Sequence, residues 1–489
     1  MDRGVVYYRA HAQDVDLKTI TSSHYNCENL RMLRENNSLD IRVTNVYEPE
    51  AMDFVVREED DFGWVGYFVG VSTCLGRFDV EYLPEERERT NALFEGISRN
   101  RSIYALSILT EIEDNNFVDL GVFLRNNRNL DRLELQDVSI GIERARNLTL
   151  GSTSIISLSF EDNNLDDDGF AVIAASLSKQ TQLQSLSLKS NSIGATSCKT
   201  LGAMTSTFAR LDHLNISNNN IDDAGLMTLV GELVNSSSLA GLNLSGNRLI
   251  TVAGLRSFTS LFHSERCKLE NLHLKDMNIG DDGAEALADA LVGNKSLKSL
   301  CFDNNTITLA GWSAFSRLLC DPSSINNTYL SNHTLEHIGD DPYDRSDWNV
   351  RKYLGWNRDK SHRSLRYSSR YAPVVPKPQI SKILYIHRDL DLEPFFQYKL
   401  KFLPMVVDWL QRAAPHFDHS SPTGYGGNPT IECRQLAALF KFIRSKPQLV
   451  FDGYWAHVLK DTREKKRKLL LQLDTLNEAE RNALKRVRR

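Results

Sequence analysis

Leu211-Asp-His-Leu-Asn-Ile-Ser-Asn-Asn-Asn-Ile221 is the stretch on which the reading of this chain turns. Leu214 and Ile216 alternate with Asn215, the period of a strand, so the two apolar side chains share one side. Asn219 cannot pack as an apolar residue would. Its amide can donate to and accept from the backbone where the chain leaves the strand. Gly225, Leu229 and Leu233 then follow at helical spacing. The core position of Leu214 recurs at Phe78, Leu106, Leu133, Leu158, Leu186, Leu242, Leu272, Leu300 and Thr328, in steps of 25 to 30 residues. Each unit thus has a strand with one apolar face and a helix with one apolar face. A single unit cannot bury both, and stacked units can.

Stacking also sets the curvature. Parallel strands lie about 4.8 Å apart and helices roughly 10 Å apart. The strands must take the inner, shorter arc. The expected fold is α/β, a curved solenoid or horseshoe with a concave parallel sheet, convex helices and a mainly helical C-terminal region. Asn163, Asn191, Asn219, Asn247 and Asn305 should form an amide ladder through the turns. Glu111, Val138 and Met277 take the asparagine's place in three units, where the ladder should lapse. Asp166 to Asp168, Asp222 with Asp223, and Asp281 with Asp282 each stand just before a glycine. They are expected to accept from free N–H groups at helix starts rather than to bind calcium.

The repeated pattern resembles the leucine-rich repeats of the ribonuclease-inhibitor type, over about half the chain. That resemblance implies a horseshoe. It also implies a protein partner, a ligand sensed within a larger receptor, or activation of a small GTPase. The overall layout is similar to a poorly characterised group of diatom leucine-rich repeat proteins. The matching pieces are Phe62-Gly-Trp-Val-Gly-Tyr-Phe-Val-Gly70 before the repeats, and Leu392-Glu-Pro-Phe-Phe396 with Phe402-Leu-Pro-Met-Val-Val-Asp-Trp-Leu410 after them. This second resemblance implies no known activity.

Four segments are expected: an N-terminal region and cap over 1–74, ten repeats over 75–338, a polar linker or insertion over 339–380, and a helical cap with a basic terminal helix over 381–489. In the first, Leu30 with Leu33 suggests a helix and Leu39, Ile41 and Val43 a strand. Trp64, Tyr67 and Phe68 fall on one helix that covers the open end of the solenoid. In the last, Leu400–Leu410, Thr430–Ser445 and Trp455–Arg489 read as helices. Of the chain's 489 residues, 41% are hydrophobic, ample for a large core. No apolar run reaches membrane-spanning length, and no signal-peptide pattern opens the sequence. Seven scattered cysteines fit a reducing compartment, so a cytoplasmic location is expected. The net charge of −5 divides unevenly: residues 1–340 hold 29 Lys and Arg against 47 Asp and Glu, residues 341–489 hold 29 against 16. Lys465-Lys-Arg-Lys468 and the basic terminus raise nuclear import as an alternative location.

Chemistry is sparse. No phosphate loop, dinucleotide fingerprint, nucleophile elbow or His-Glu-x-x-His occurs. His333 and His337 have the wrong setting for a metal pair. Cys301 and His273 could approach across adjacent strands, but a smooth sheet supplies neither pocket nor oxyanion site. The chain is therefore not expected to be an enzyme. No cofactor, metal or small-molecule substrate is expected either, and neither membrane nor nucleic-acid binding. Strand parity sends Arg132, Glu134, Glu161, Lys189, His213, Asn243, His273, Lys275, Asp303 and Tyr329 to the concave face as the candidate protein-binding residues. The expected role is a protein–protein interaction scaffold using that face and its rims. The alternative is a regulator of a small Ran-like GTPase, although the basic terminus departs from the acidic tail that role implies.

Overall fold

A computed structural model describes residues 4–339, apart from 38, 47, 51, 59, 152–154 and 206–207, together with 348–358 and 378–387. The chain separates into two units, 1–359 and 360–489. The first is built on one sheet. Its strands are β1 (Leu39–Thr44), β2 (Asp53–Val55), β3 (Leu75–Val80), β4 (Ala105–Ile108), β5 (Arg132–Gln136) and β6 (Ser157–Glu161). They continue with β7 (Ser185–Ser187), β8 (His213–Asn215), β9 (Gly241–Asn243), β10 (Asn271–His273), β11 (Ser299–Cys301) and β12 (His337–Ile338). The strand order is β12 through β3 in sequence, then β1 and β2. All pairs are parallel, with a helix in most of the crossovers. The repeated position is in register throughout: Phe78 faces Leu106, Leu186 faces Leu214, and Leu214 faces Leu242. These side chains are all at most 1% exposed.

The tenth unit is where the sequence reading fails. Thr328, expected in a strand, lies in the helix Ile325–Leu330. Ser324 caps that helix by accepting from the Asn327 N–H, and the Thr328 hydroxyl donates to the Asp321 carbonyl. The strand core position is Ile338, paired with Leu300. The Asp321-Pro-Ser-Ser324 turn and its helix interrupt the period, so the last step is far longer than the others.

The amide ladder forms and crosses from unit to unit. Asn191 accepts from the N–H groups of Asn163 and Leu165, and donates to the Phe160 carbonyl at 2.7 Å. Asn219 accepts from the Ile193 N–H and donates to the carbonyls of Leu188, Ile216 and Ser217. Neither apolar replacement leaves its own turn unsupported. The Val138 and Met277 N–H groups donate to Asn163 and Asn305 of the next unit. What lapses is the donation such a side chain would make to the unit before it.

The aspartates divide the labour at helix starts. Asp166 and Asp222 cap their own helices, accepting from Gly169 and Gly225 N–H at 2.8 Å. Asp167, Asp223 and Asp281 reach the next helix instead. Asp223 accepts from the Thr251 N–H, the Thr251 hydroxyl and the Gly254 N–H. Asp281 does the same for Thr308 and Gly311, and Asp167 for Gly194 and Ser197. These bridging carboxylates sit in the β6, β8 and β10 units, so the convex layer is stapled in pairs of units. A second ladder sits at the opposite turns, ahead of the strands. Asn100, Asn127, Asn294 and Asn332 are buried, and each accepts from the N–H groups two and three residues on.

At its N-terminal end the sheet runs past the repeats. β1 pairs with β3, and β2 forms the outer edge. The helix His24–Arg34 closes that edge: Asn26 exchanges hydrogen bonds with both backbone groups of Val55, and Asn29 donates to the Asp53 carbonyl. An exposed parallel edge would otherwise invite pairing with another chain. The helix Phe62–Val71 buries Trp64, Tyr67 and Phe68 as expected. It packs on Arg87–Arg99 through glycines, since a Cβ on Gly96 would collide with the Gly66 carbonyl oxygen. Within the stretch read as a polar linker, Trp348–Arg358 is a helix packed on Leu309–Leu319, with Val350, Tyr353 and Leu354 buried. The three expected C-terminal helices, from Leu400 onward, lie outside the described residues.

Candidate functional site

The buried side of the sheet is spent on packing, which leaves its other side as the surface where side chains are free to vary. Three rows cross it. The first runs through Arg77, Arg132, Ser157, Ser185, His213 and Gly241, which are register neighbours or next neighbours. The second lies two residues further on, through Asp79, Glu134, Ser159, Asn243 and His273. The third lies at the strand exits, through Glu161, Lys189, Lys275 and Asp303.

Nine of the ten candidate residues are on these rows. Arg132 and Glu134 are in β5, Glu161 in β6, His213 in β8, Asn243 in β9 and His273 in β10. Lys189, Lys275 and Asp303 come two residues after β7, β10 and β11. Tyr329 is the correction. It belongs to the helix Ile325–Leu330, outside the sheet, because the capped turn before it starts a helix where a strand was expected.

Several of the nine are held by partners. Glu161 accepts from the Ser187 hydroxyl at 2.7 Å and faces the Lys189 ammonium at 3.2 Å, which links β6 to β7. Lys275 and Asp303 approach to 4.0 Å across β10 and β11. His213 Nδ1 lies 3.0 Å from the Asp212 carboxylate. Its ring leans over Gly241, where a Cβ would come within 2.7 Å of His213 Cδ2. Asn243 accepts from the Ser245 N–H. Arg132 is the most open, with 69% of its side chain exposed, and its nearest carboxylate is Asp131 at 3.8 Å.

His273 and Cys301 are register partners, as parity suggests. Burial lowers the His273 imidazole's pKa, and the Lys275 charge lowers it further. Burial also pushes the Cys301 thiol up, outweighing the Ser299 hydroxyl and Lys275. Both shifts favour neutral groups. They oppose the thiolate–imidazolium pair that a cysteine nucleophile requires.

Sequence reasoning missed the sheet's first two strands as part of this surface. Arg42 of β1 holds Asp53 of β2 through two bonds, at 2.7 and 3.0 Å, and the Glu50 N–H adds a third at 2.8 Å. Burial alone would raise the Asp53 carboxyl, but Arg42 and the Glu50 N–H outweigh it and hold it below its ordinary value. Tyr104 was also missed. It stands one residue ahead of β4, is 43% exposed, and its ring rests against Gly76, where a Cβ would come within 2.8 Å. The signal was an aromatic residue beside a glycine in the preceding unit.

A family model described as a leucine-rich repeat matches residues 211–230 and 267–288. Each matched segment contains one strand and one aspartate-bearing turn. No curated protein matches the sequence. Among solved structures, the Rad7–Elc1 complex of yeast aligns at 12% identity and a TM-score of 0.38, over 68% of this chain and 79% of that one. An internalin, InlF of Listeria monocytogenes, aligns at 15% and 0.37, over 66% and 90%. Internalin C2 of the same organism aligns at 17% and 0.29, over 53% and 87%. With twelve described strands in one open parallel sheet, in-register buried leucines and turns laddered by asparagine, the described residues have the fold of a leucine-rich repeat solenoid, and the two matched segments are leucine-rich repeats within it.

Proposed function

We propose that this protein is a non-enzymatic interaction scaffold that takes another protein on the inner face of its sheet. One observation carries the reading. The buried side of every strand is committed to packing, while the inner side is a broad, preformed and chemically varied surface across twelve strands. A rigid surface loses little conformational entropy on docking. Arg132, Glu134, Glu161, Lys189, His213, Asn243, His273, Lys275 and Asp303 are its contact residues. The His273–Cys301 pairing argues against nucleophilic chemistry at that position. A regulatory role toward a small GTPase has no observation in its favour and is not proposed.

Three finer points belong to the same reading. The repeats are of the ribonuclease-inhibitor type, supported by the dominant 28-residue step and by 11-residue helices such as Asp223–Leu233. A reducing, cytoplasmic setting is supported by Cys27, Cys74, Cys198, Cys267 and Cys301, which form no disulfide among the described residues. Among the described residues no helix is long and apolar enough to cross a membrane.

Affinity capture from native cells tests the function. The intact chain is compared with a variant carrying Arg132→Ala, Glu134→Ala and Lys189→Ala. The reading expects the captured partner to be lost while the variant stays folded by circular dichroism. Undiminished capture would refute it.

A further inference from the structure

The inner face divides by charge. Along its three rows, β1 to β6 present five carboxylates, Asp40, Asp79, Glu81, Glu134 and Glu161, and hold a sixth, Asp53, buried, against three arginines, whereas β7 to β12 present Asp303 against Lys189 and Lys275. Two of the three arginines are engaged at home, Arg42 with Asp53 and Arg77 with Asp79, each at 2.7 Å. Glu134 receives one hydroxyl bond, from Ser107 at 3.3 Å. The second half is lined instead by small neutral groups such as Ser185, Ser187 and Asn243. The first half also has Tyr104 at its strand-entry edge, braced by Gly76. A braced aromatic ring offers a face to a cation, and nearby carboxylates strengthen the attraction. The wider field agrees, since residues 1–340 carry 29 positive against 47 negative side chains. Such a field speeds the approach of a cationic partner and repels a second copy of the same solenoid.

Resting on the reading that the inner face binds protein, we infer that the partner presents an extended segment rich in arginine or lysine, and that this segment lies across β3 to β6. Its cations meet Glu134 and Glu81, which directly follows β3 and lies 4.0 Å from Arg42, and one stacks on Tyr104. Its neutral continuation runs toward β7.

The test uses the full chain and two fluorescent 12-residue peptides of glycine and serine, one with four arginines and one with four glutamates at the same places. Fluorescence anisotropy should show binding of the arginine peptide only, weakening as salt rises. Glu81→Gln with Glu134→Gln should weaken it about tenfold, the scale expected of a few desolvated charge contacts. Tyr104→Ala should weaken it and Tyr104→Phe restore it. The convex pair Asp168→Asn with Glu232→Gln should leave it within about twofold, since exposed, distant charges are screened. Equal binding of the two peptides, or an equal loss from the convex pair, would overturn the inference. Capture that depends on Arg132, Glu134 and Lys189 while the peptides bind alike would sink the basic partner and leave the scaffold reading standing. Peptide discrimination with undiminished capture would sink the scaffold reading itself.

Discussion

The two sides of the sheet obey different rules. On the buried side an apolar residue returns at every strand, and Leu186, Leu214 and Leu242 are interchangeable in setting. On the inner side the register partners change from Arg132 to Ser157, Ser185, His213 and Gly241. The backbone is the same on both sides, so the difference lies in what each side must do. A packed side chain must match its neighbours in shape, and any change is felt by the units above and below. An inner side chain has a few polar neighbours, as Glu161 has Ser187 and Lys189, and need not match the shape of a packed core. Repetition therefore marks what holds the fold, and its absence marks where binding specificity can reside.

Substitutions on the two sides should separate accordingly. Leu214→Ala removes a buried side chain shared by three units and should cost about 2–5 kcal/mol in urea unfolding. A loss below that range would mean that neighbouring units collapse into the space. Gly96→Ala drives a methyl group into the Gly66 carbonyl and should cost about 1–3 kcal/mol by the same measurement. Asn219→Ala leaves the buried Ile193 N–H unpaired and removes one of two donors from the Leu188, Ile216 and Ser217 carbonyls, which keep Asn191, Asn247 and the Ser190 N–H, and it should cost about 1–3 kcal/mol. Acid sharpens the contrast in another way. Against the opposing pull of burial, Arg42 and the Glu50 N–H hold Asp53 low, and backbone N–H groups with a hydroxyl do the same for Asp167 and Asp223. Because these folded-state pKa values lie below the unfolded value near 3.9, the stabilisation is present above about pH 4. It is lost as pH falls through the lower, folded values. Replacing the three with asparagine should flatten the acid limb of a stability–pH curve. On the inner side, Arg132→Ala should shift stability by no more than about 0.5 kcal/mol, as an open surface residue does.

How much of this could be read from the chain alone differs along it. The first nine core positions were legible because a leucine spacing near 28 has no other structural use. The tenth was not. Thr328 kept the spacing, but the Asp321-Pro-Ser-Ser324 turn starts a helix and pushes the strand to Ile338. The better guide was Asn332-His-Thr-Leu335, which repeats Asn294-Lys-Ser-Leu297 and its buried amide. β2 escaped notice because three residues show no periodicity, and its edge is sealed by asparagines from a distant helix. The rows of the inner face followed from parity. Their pairings did not, because whether Lys189 meets Glu161 or turns to solvent depends on side-chain rotamers that a one-dimensional pattern does not encode.

Hydrogen exchange on the full chain, with and without its captured partner, tests most directly whether the unrepeated side is the binding side. Partner-dependent slowing is predicted at the strand amides of 77–81, 105–108, 132–136 and 157–161, with the helices Asp167–Leu177 and Asp223–Leu233 unchanged. Slowing confined to those helices, with the strands unaffected, would contradict it.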